Sequence, residues 1–126
     1  YRDVLEIITP YVTRSGLRGV VHSFEGDYET ARSFLNLGFK LSVNGLMTYE
    51  RPQDTLYAIK KVPLRELMLE TDCPYLAPVP LRGQRNEPAY VEYVAVRIAE
   101  LKGISTGEIA EATTNTAINF FKLDSV

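Results

Sequence analysis

The chain has 126 residues, with 45% hydrophobic and 24% charged residues and a formal net charge of −2. Such a length and composition are typical of a single globular domain with its own core. The small negative charge excludes the globally basic surface of many nucleic-acid-binding proteins, although a bound metal ion could supply positive charge locally.

No apolar run approaches the roughly 18 residues of a membrane-spanning helix, so we expect no membrane contact. The single cysteine, Cys73, cannot form an internal disulfide, which favours a reducing, cytoplasmic location. The chain begins at Tyr1, inside a helical pattern, and we therefore expect a segment cut from a longer protein.

The first half of the sequence alternates between helical and extended patterns. A helix ending at Gly16 is predicted from apolar residues at helical spacing, which are Val4, Leu5, Ile8, Tyr11 and Val12. An apolar strand follows at 19–23, and then a helix that Asp27 caps and Gly38 ends. A second strand at 39–43 leads to a helix between Pro52 and Pro63.

The second half begins with a third strand at 66–70, followed by a long loop from Pro74 to Pro88. Two helices finish the chain, one ending at Gly103 and one opening with the capping box Ser105-Thr106-Gly107-Glu108. The strand–helix unit recurs about every 20 to 26 residues, which favours parallel strands adjacent in chain order, with helices on one side. Three such strands do not close a sheet, and this pattern indicates part of a barrel or of a larger sheet.

Each predicted strand turns polar at its carboxyl end. The polar residues are His22-Ser23 after the first strand, Asn44-Gly45 after the second and Glu70-Thr71-Asp72 after the third. Ligands of parallel α/β folds bind at this end of the strands. The sequence therefore predicts one site shared by three strands.

The strongest local signal is Glu70 and Asp72, two acids that strand alternation places on one face. Two such carboxylates repel each other and need a cation, a basic partner or a shared proton. A hard metal ion is the functional interpretation. In the structural interpretation, the pair is solvated or bonded to backbone amides.

Other candidate residues also admit two interpretations. His22, the only histidine, is either a hydrogen-bonded structural residue or a metal ligand facing Asp72. We interpret Cys73 as a small buried thiol, since no second histidine could act as its base. Arg82 and Arg85 either contact phosphate or belong to a solvated loop with local charge pairing.

Four stretches resemble the TatD family of metal-dependent deoxyribonucleases. They are Gly19-Val20-Val21-His22-Ser23-Phe24, Leu41-Ser42-Val43-Asn44-Gly45, Leu69-Glu70-Thr71-Asp72-Cys73-Pro74-Tyr75-Leu76 and Arg82-Gly83-Gln84-Arg85-Asn86-Glu87-Pro88. The closing Asn115-Thr116-Ala117-Ile118-Asn119-Phe120-Phe121 also matches. The resemblance covers essentially all of residues 1–126 as a single segment.

This resemblance implies the C-terminal half of a TIM-like (β/α)8 barrel of the amidohydrolase-like, metal-dependent hydrolase type. It implies divalent ions (Zn, Mg or Mn), two per complete site, with His22 and Asp72 as metal ligands. Asp72 is also the expected catalytic residue, which orients the attacking water, and Arg82 and Arg85 are the expected substrate-binding residues. The family's His-x-His pair, bridging glutamate and other histidine ligand would precede Tyr1, in an N-terminal half absent from this chain.

The implied function is hydrolysis of DNA phosphodiester bonds. Two alternatives are a hydrolase of small esters or amides on the same scaffold and a catalytically inactive fragment that acts as a structural or interaction module. The expected partners are DNA and either the N-terminal half of the barrel, a complementary chain or a second copy of this chain. A large exposed apolar surface at the open edges would drive that association.

Overall fold

The computed structural model describes residues 1–123. Its helices are α1 (Arg2–Ser15), α2 (Tyr28–Asn36), α3 (Gln53–Lys61), α4 (Val91–Lys102) and α5 (Thr106–Phe121), and its strands are β1 (Val20–Val21), β2 (Lys40–Val43) and β3 (Leu67–Leu69). The strands form one parallel sheet in the order β1–β2–β3. The predicted strand order and direction are confirmed, and each strand is shorter than predicted.

The helix boundaries follow local signals in the sequence. The Asp27 carboxylate accepts a hydrogen bond from the Thr30 amide at 2.8 Å and begins α2. Gly16 ends α1 in the left-handed region at φ 65°, where a residue without Cβ is least strained. Ser105 and Glu108 form the predicted capping box of α5. These ends are therefore determined within a few residues of sequence.

Helix α1 buries only part of its apolar residues. Leu5, Ile8 and Val12 pack partly buried against the core, whereas Val4 and Tyr11 are 48% and 59% exposed. Ile7, at 65% exposed, extends this exposed apolar stripe. The spacing of these residues therefore predicts the helix correctly but does not show which of them are buried.

The two faces of the sheet differ in chemistry because side chains alternate along each strand. Leu41, Val43 and Leu67 are buried in the core formed with the helices. The opposite face of β2 carries Lys40 and Ser42, so it is polar along its length. On this face Lys40 lies beside Val20 and Ser42 lies beside Met68, so the polar side chains of β2 stand among apolar neighbours.

Helix α5 lies across the amino end of the sheet. The Thr116 hydroxyl is 3.4 Å from the Leu64 carbonyl oxygen, just before β3, and the Arg18 guanidinium lies 4.7 Å from the centre of the Phe120 ring, just before β1. The carboxyl end of the sheet is left to the loops. Among residues 1–123, no helix is long and apolar enough to cross a membrane.

Gly45 is required by a close approach at the carboxyl end of β2. A Cβ at this position would lie 2.1 Å from the Leu76 carbonyl oxygen and 3.2 Å from the Pro78 nitrogen. Gly45 does not have a positive φ, so the absence of a side chain is what this site needs. The loop after β3 therefore packs directly on the end of β2.

We expect Gly45→Ala to destabilise the chain by about 1–3 kcal/mol, because the backbone atoms that the new methyl would meet cannot rotate away. Urea unfolding followed by circular dichroism measures this change. Gly107→Ala in α5 is the matched control, since its nearest neighbour lies 3.9 Å away. The control should be neutral or more stable, and equal stabilities for the two variants would contradict the close-approach interpretation.

Candidate metal centre at the carboxyl end of the sheet

The Glu70 carboxylate is the common acceptor of a hydrogen-bond network at the carboxyl end of the sheet. It accepts from the Ser23 amide at 2.9 Å, the Ser42 hydroxyl at 2.7 Å and the Asn44 side-chain amide at 3.3 Å. His22 Nδ1 lies 2.9 Å from the same carboxylate. Residues from all three strands therefore converge on one side chain.

Asn44 links this network to the backbone. Its side-chain amide also donates to the Ser23 hydroxyl at 3.0 Å, and its oxygen accepts from the Leu46 amide at 3.1 Å. The residue is 1% exposed, and burial of an amide is tolerated only when its groups are paired. Among residues 1–123, every buried side-chain nitrogen and oxygen has a hydrogen-bond partner. The network is therefore complete as a structural unit.

His22 lies between the two acids that the sequence pairs. Its Nε2 is 3.7 Å from the nearer Asp72 oxygen, and the side chains of His22, Asp72 and Glu70 are 61%, 36% and 21% exposed. The expectation that both acids extend from one strand face is wrong, since β3 ends at Leu69 and Asp72 has a left-handed φ of 57°. Of the partners expected for the two acids, the described residues provide the basic one, the His22 imidazole.

The acids around His22 raise its pKa above the ordinary 6.5. The hydrogen bond to Glu70 is the main cause, and the charges of Glu70 and Asp72 act in the same direction against a partial loss of solvation. Removing a proton from this ring therefore needs a higher pH than in a histidine without acidic neighbours.

Asn86 holds the loop that carries Asp72. Its side-chain amide donates to the Thr71 and Tyr75 carbonyl oxygens at 2.7 and 2.6 Å, and its backbone amide donates to the Pro74 carbonyl oxygen at 3.1 Å. The residue is 2% exposed. One side chain therefore fixes the loop on both sides of Asp72. The sequence alone places Asn86 in the loop after β3 and does not indicate these contacts.

The remaining predicted residues lie in or beside the same loop. The Arg82 guanidinium lies 4.5 Å from the centre of the Tyr49 ring, and Arg85 is exposed beside Cys73 in a shallow cavity of about 410 Å³. Neither arginine lies within 4 Å of an acid in the described chain, which removes the charge-pairing interpretation there. Cys73 is exposed, so the buried-thiol interpretation is wrong, because the chain leaves its extended path at Asp72.

Sequence reasoning missed Ser42 as a partner of Glu70. A serine between Leu41 and Val43 was the available signal, since a buried hydroxyl requires a partner. The structural interpretation of Glu70, a carboxylate bonded to a backbone amide, is confirmed by the Ser23 contact, but it named no side-chain partner. The side-chain partners of Glu70 come from strands that lie 26 to 48 residues away in sequence, and no local pattern identifies them.

No group of three or more His, Cys, Asp or Glu side chains in residues 1–123 has the spacing of a metal site. His22 and Asp72 present one imidazole nitrogen and one carboxylate oxygen toward each other. A parallel βα sheet with such donors at the carboxyl ends of its strands is the arrangement of TIM-like barrels of the metal-dependent hydrolase type.

The chain belongs to the TatD family, since residues 1–122 match the family model described as "TatD related DNase". It is 40% identical over 126 residues to an uncharacterized metal-dependent hydrolase, YabD, of Bacillus subtilis, covering 98% of this chain and 49% of that protein. It is 45% identical over 107 residues to the uncharacterized metal-dependent hydrolase YcfH of Escherichia coli, covering 85% of this chain and 40% of that protein.

Solved structures agree with this assignment. The crystal structure of the TatD homologue YjjV from Escherichia coli matches with a TM-score of 0.83 and 34% identity, over 96% of this chain and 48% of that one. A TatD family hydrolase from Entamoeba histolytica matches with a TM-score of 0.80 and 25% identity, over 94% and 46%. The chain therefore spans about half the length of the relatives it matches.

We expect Asn86→Ala to destabilise the chain by about 2–3 kcal/mol, because two carbonyl oxygens lose their donor at a buried site. Thermal and urea unfolding measure this loss. Asn115→Ala, at an exposed position of α5, is the matched control and should change stability by less than about 0.5 kcal/mol. Similar losses in both variants would show that Asn86 does not hold the loop.

We expect the His22 ring of the metal-free chain to titrate above pH 6.5, because Glu70 and Asp72 stabilise its protonated form. NMR of the ring C–H protons measures the midpoint without ambiguity, since there is one histidine. In the urea-unfolded chain the midpoint should return to about 6.5. The stability that this shift provides is present below pH 6.5 and is lost as pH rises through the folded pKa. A folded midpoint at or below 6.5 would contradict this electrostatic account.

Proposed function

We propose that this chain forms part of a metal-dependent hydrolase that cleaves DNA phosphodiester bonds. The observation that carries the proposal is the approach of His22 and Asp72 to 3.7 Å at the carboxyl end of a parallel sheet. Membership of the TatD family supports it, and so do the names of YabD and YcfH as metal-dependent hydrolases. Deoxyribonuclease activity comes to the proposal from the family description.

The donor chemistry fits divalent metal ions. An imidazole nitrogen and a carboxylate oxygen together suit Zn or Mn, and the carboxylate also suits Mg. A tight site takes three or more protein donors, and the described residues offer two. His22 and Asp72 are therefore proposed as part of a coordination sphere, with the other donors contributed from outside residues 1–123.

A bound divalent ion would lower the pKa of a water molecule and stabilise negative charge on the phosphate. Asp72 would accept a hydrogen bond from the attacking water and orient it toward the phosphorus. The Asn86 contacts hold the backbone on both sides of Asp72, and phosphoryl-transfer catalysis depends on positioning together with electrostatic stabilisation.

Arg82 and Arg85 are the proposed phosphate-binding residues. Stacking on Tyr49 leaves the edge of the Arg82 guanidinium free to donate, and a planar guanidinium binds phosphate oxygens in pairs. Arg85 lies exposed on the loop that also carries Asp72 and Asn86. Both arginines would add positive charge beside the site of a chain whose net charge is −2.

We also propose that further strands complete the site. Among the described residues, β1 and β3 each pair on one side only, and helix α1, with its exposed apolar stripe, directly precedes β1 in sequence. Unpaired strand edges and apolar surface favour association. The rest of the barrel or a complementary chain is the proposed partner, and the chain alone is expected to self-associate.

We expect hydrolysis to require both the further strands that complete the site and the Asp72 carboxylate. The test fuses this chain to the part of YabD that it does not cover and assays DNA and bis(p-nitrophenyl) phosphate with Mg, Mn or Zn. The fusion should hydrolyse both substrates, and Asp72→Asn should lose about 10²–10⁴-fold in kcat, since water orientation and a ligand are removed together. Asp54→Asn, at an exposed position in α3, is the matched control.

Two outcomes would contradict the proposal. Hydrolysis of small esters or amides without phosphodiester cleavage would favour the alternative hydrolase on the same scaffold. Absence of hydrolysis in a folded, monomeric fusion, checked by sedimentation, would favour a structural module. A monomeric chain alone that cleaves DNA at full rate would show that completion is unnecessary.

A further inference from the structure

We propose that Glu70 is a positioning residue that holds His22 in the tautomer protonated at Nδ1 and so directs the Nε2 lone pair toward Asp72. The inference rests on the proposed function in assigning Nε2 to a metal ion. The tautomer itself is a property of the metal-free chain and can be measured separately.

The contact at Nδ1 determines where the proton lies. An ionised carboxylate only accepts hydrogen bonds, and His22 Nδ1 lies 2.9 Å from Glu70. A neutral ring must therefore carry its proton on Nδ1, since a lone pair there would face the carboxylate directly. Nε2 lies 3.7 Å from the nearer Asp72 oxygen, which exceeds hydrogen-bond distance. A proton on Nε2 would therefore have a poorer acceptor than a proton on Nδ1.

The other contacts of Glu70 restrict it to this role. A carboxylate has about four lone-pair positions, and the Ser23 amide, the Ser42 hydroxyl, the Asn44 amide and His22 provide four donors. These contacts leave Glu70 without a free position for a metal ion. The sequence interpretation of Glu70 and Asp72 as a joint metal pair is therefore replaced by a division of roles.

The consequence lies at Nε2. With the proton on Nδ1, the Nε2 lone pair and an Asp72 oxygen converge on one space, and both are electron-pair donors. Two electron-pair donors that face each other repel when no cation lies between them, and both are stabilised by a divalent cation placed there. A histidine whose other ring nitrogen donates to a carboxylate is also held in orientation and is a more basic ligand.

The tautomer can be read directly by long-range ¹H–¹⁵N correlation of the single histidine. The spectrum is recorded on the chain after chelator treatment, at a pH above the titration midpoint, where the ring is neutral. We expect one tautomer, with Nδ1 protonated and Nε2 unprotonated. This measurement needs no variant, so it remains decisive if substitutions at Glu70 prevent folding.

Substitution then tests the cause. Glu70→Ala should give a mixture of the two tautomers, and Glu70→Gln, which retains the volume, should also lose the pure Nδ1-protonated form because part of the acceptor becomes a donor. Glu66→Ala is the matched control, because it removes a carboxylate at the opposite end of β3. That carboxylate pairs with Lys40 at 2.6 Å and does not contact His22. It should leave the tautomer unchanged.

A wild-type ring protonated at Nε2, or a mixture of tautomers, would overturn the inference. An unchanged tautomer in both Glu70 variants would also overturn it. These results are separate from the proposed function, which the hydrolysis assay decides. An inactive fusion with a pure Nδ1-protonated ring would reject the function and leave the role of Glu70 in place.

Discussion

The contact between the Glu70 carboxylate, at the end of β3, and the ends of β1 and β2 is the interaction on which this end of the structure depends. One acceptor connects a backbone amide, a hydroxyl, a side-chain amide and an imidazole. The Glu70 side chain is only 21% exposed, and these four partners replace the water contacts that its carboxylate loses. The network orients His22 and also joins β1, β2 and β3 where their backbone ladder ends.

The loop that follows β3 is held against this network by two constraints of different kinds. Gly45 allows the Leu76 carbonyl to approach the end of β2, where any side chain would collide. Asn86 closes the loop from the other side by bonding Thr71 and Tyr75. Asp72 lies between Thr71 and Tyr75, so the Asn86 hydrogen bonds hold the backbone on both sides of it.

The site presents few side chains that could bind a metal ion. Its two outward donors, His22 Nε2 and Asp72, are too few for a tight metal site, whereas the residues behind them are fully bonded. This division agrees with a chain that covers about half the length of its relatives. The unpaired outer edges of β1 and β3 and the incomplete donor set are the observations that support the proposal of further strands.

The helix ends, the three parallel strands and the polar rim at their carboxyl ends could be predicted from the sequence. These features follow from caps such as Asp27 and from short-range periodicity, which act within a few residues. Motif resemblance also predicted that His22 and Asp72 share a site, and the structure brings them within 3.7 Å. The sequence did not predict that Glu70 bonds Ser42, that Cys73 is exposed or that Tyr11 faces away from the core. Those outcomes depend on contacts between residues far apart in sequence and on the turn at Asp72, which no local pattern encodes.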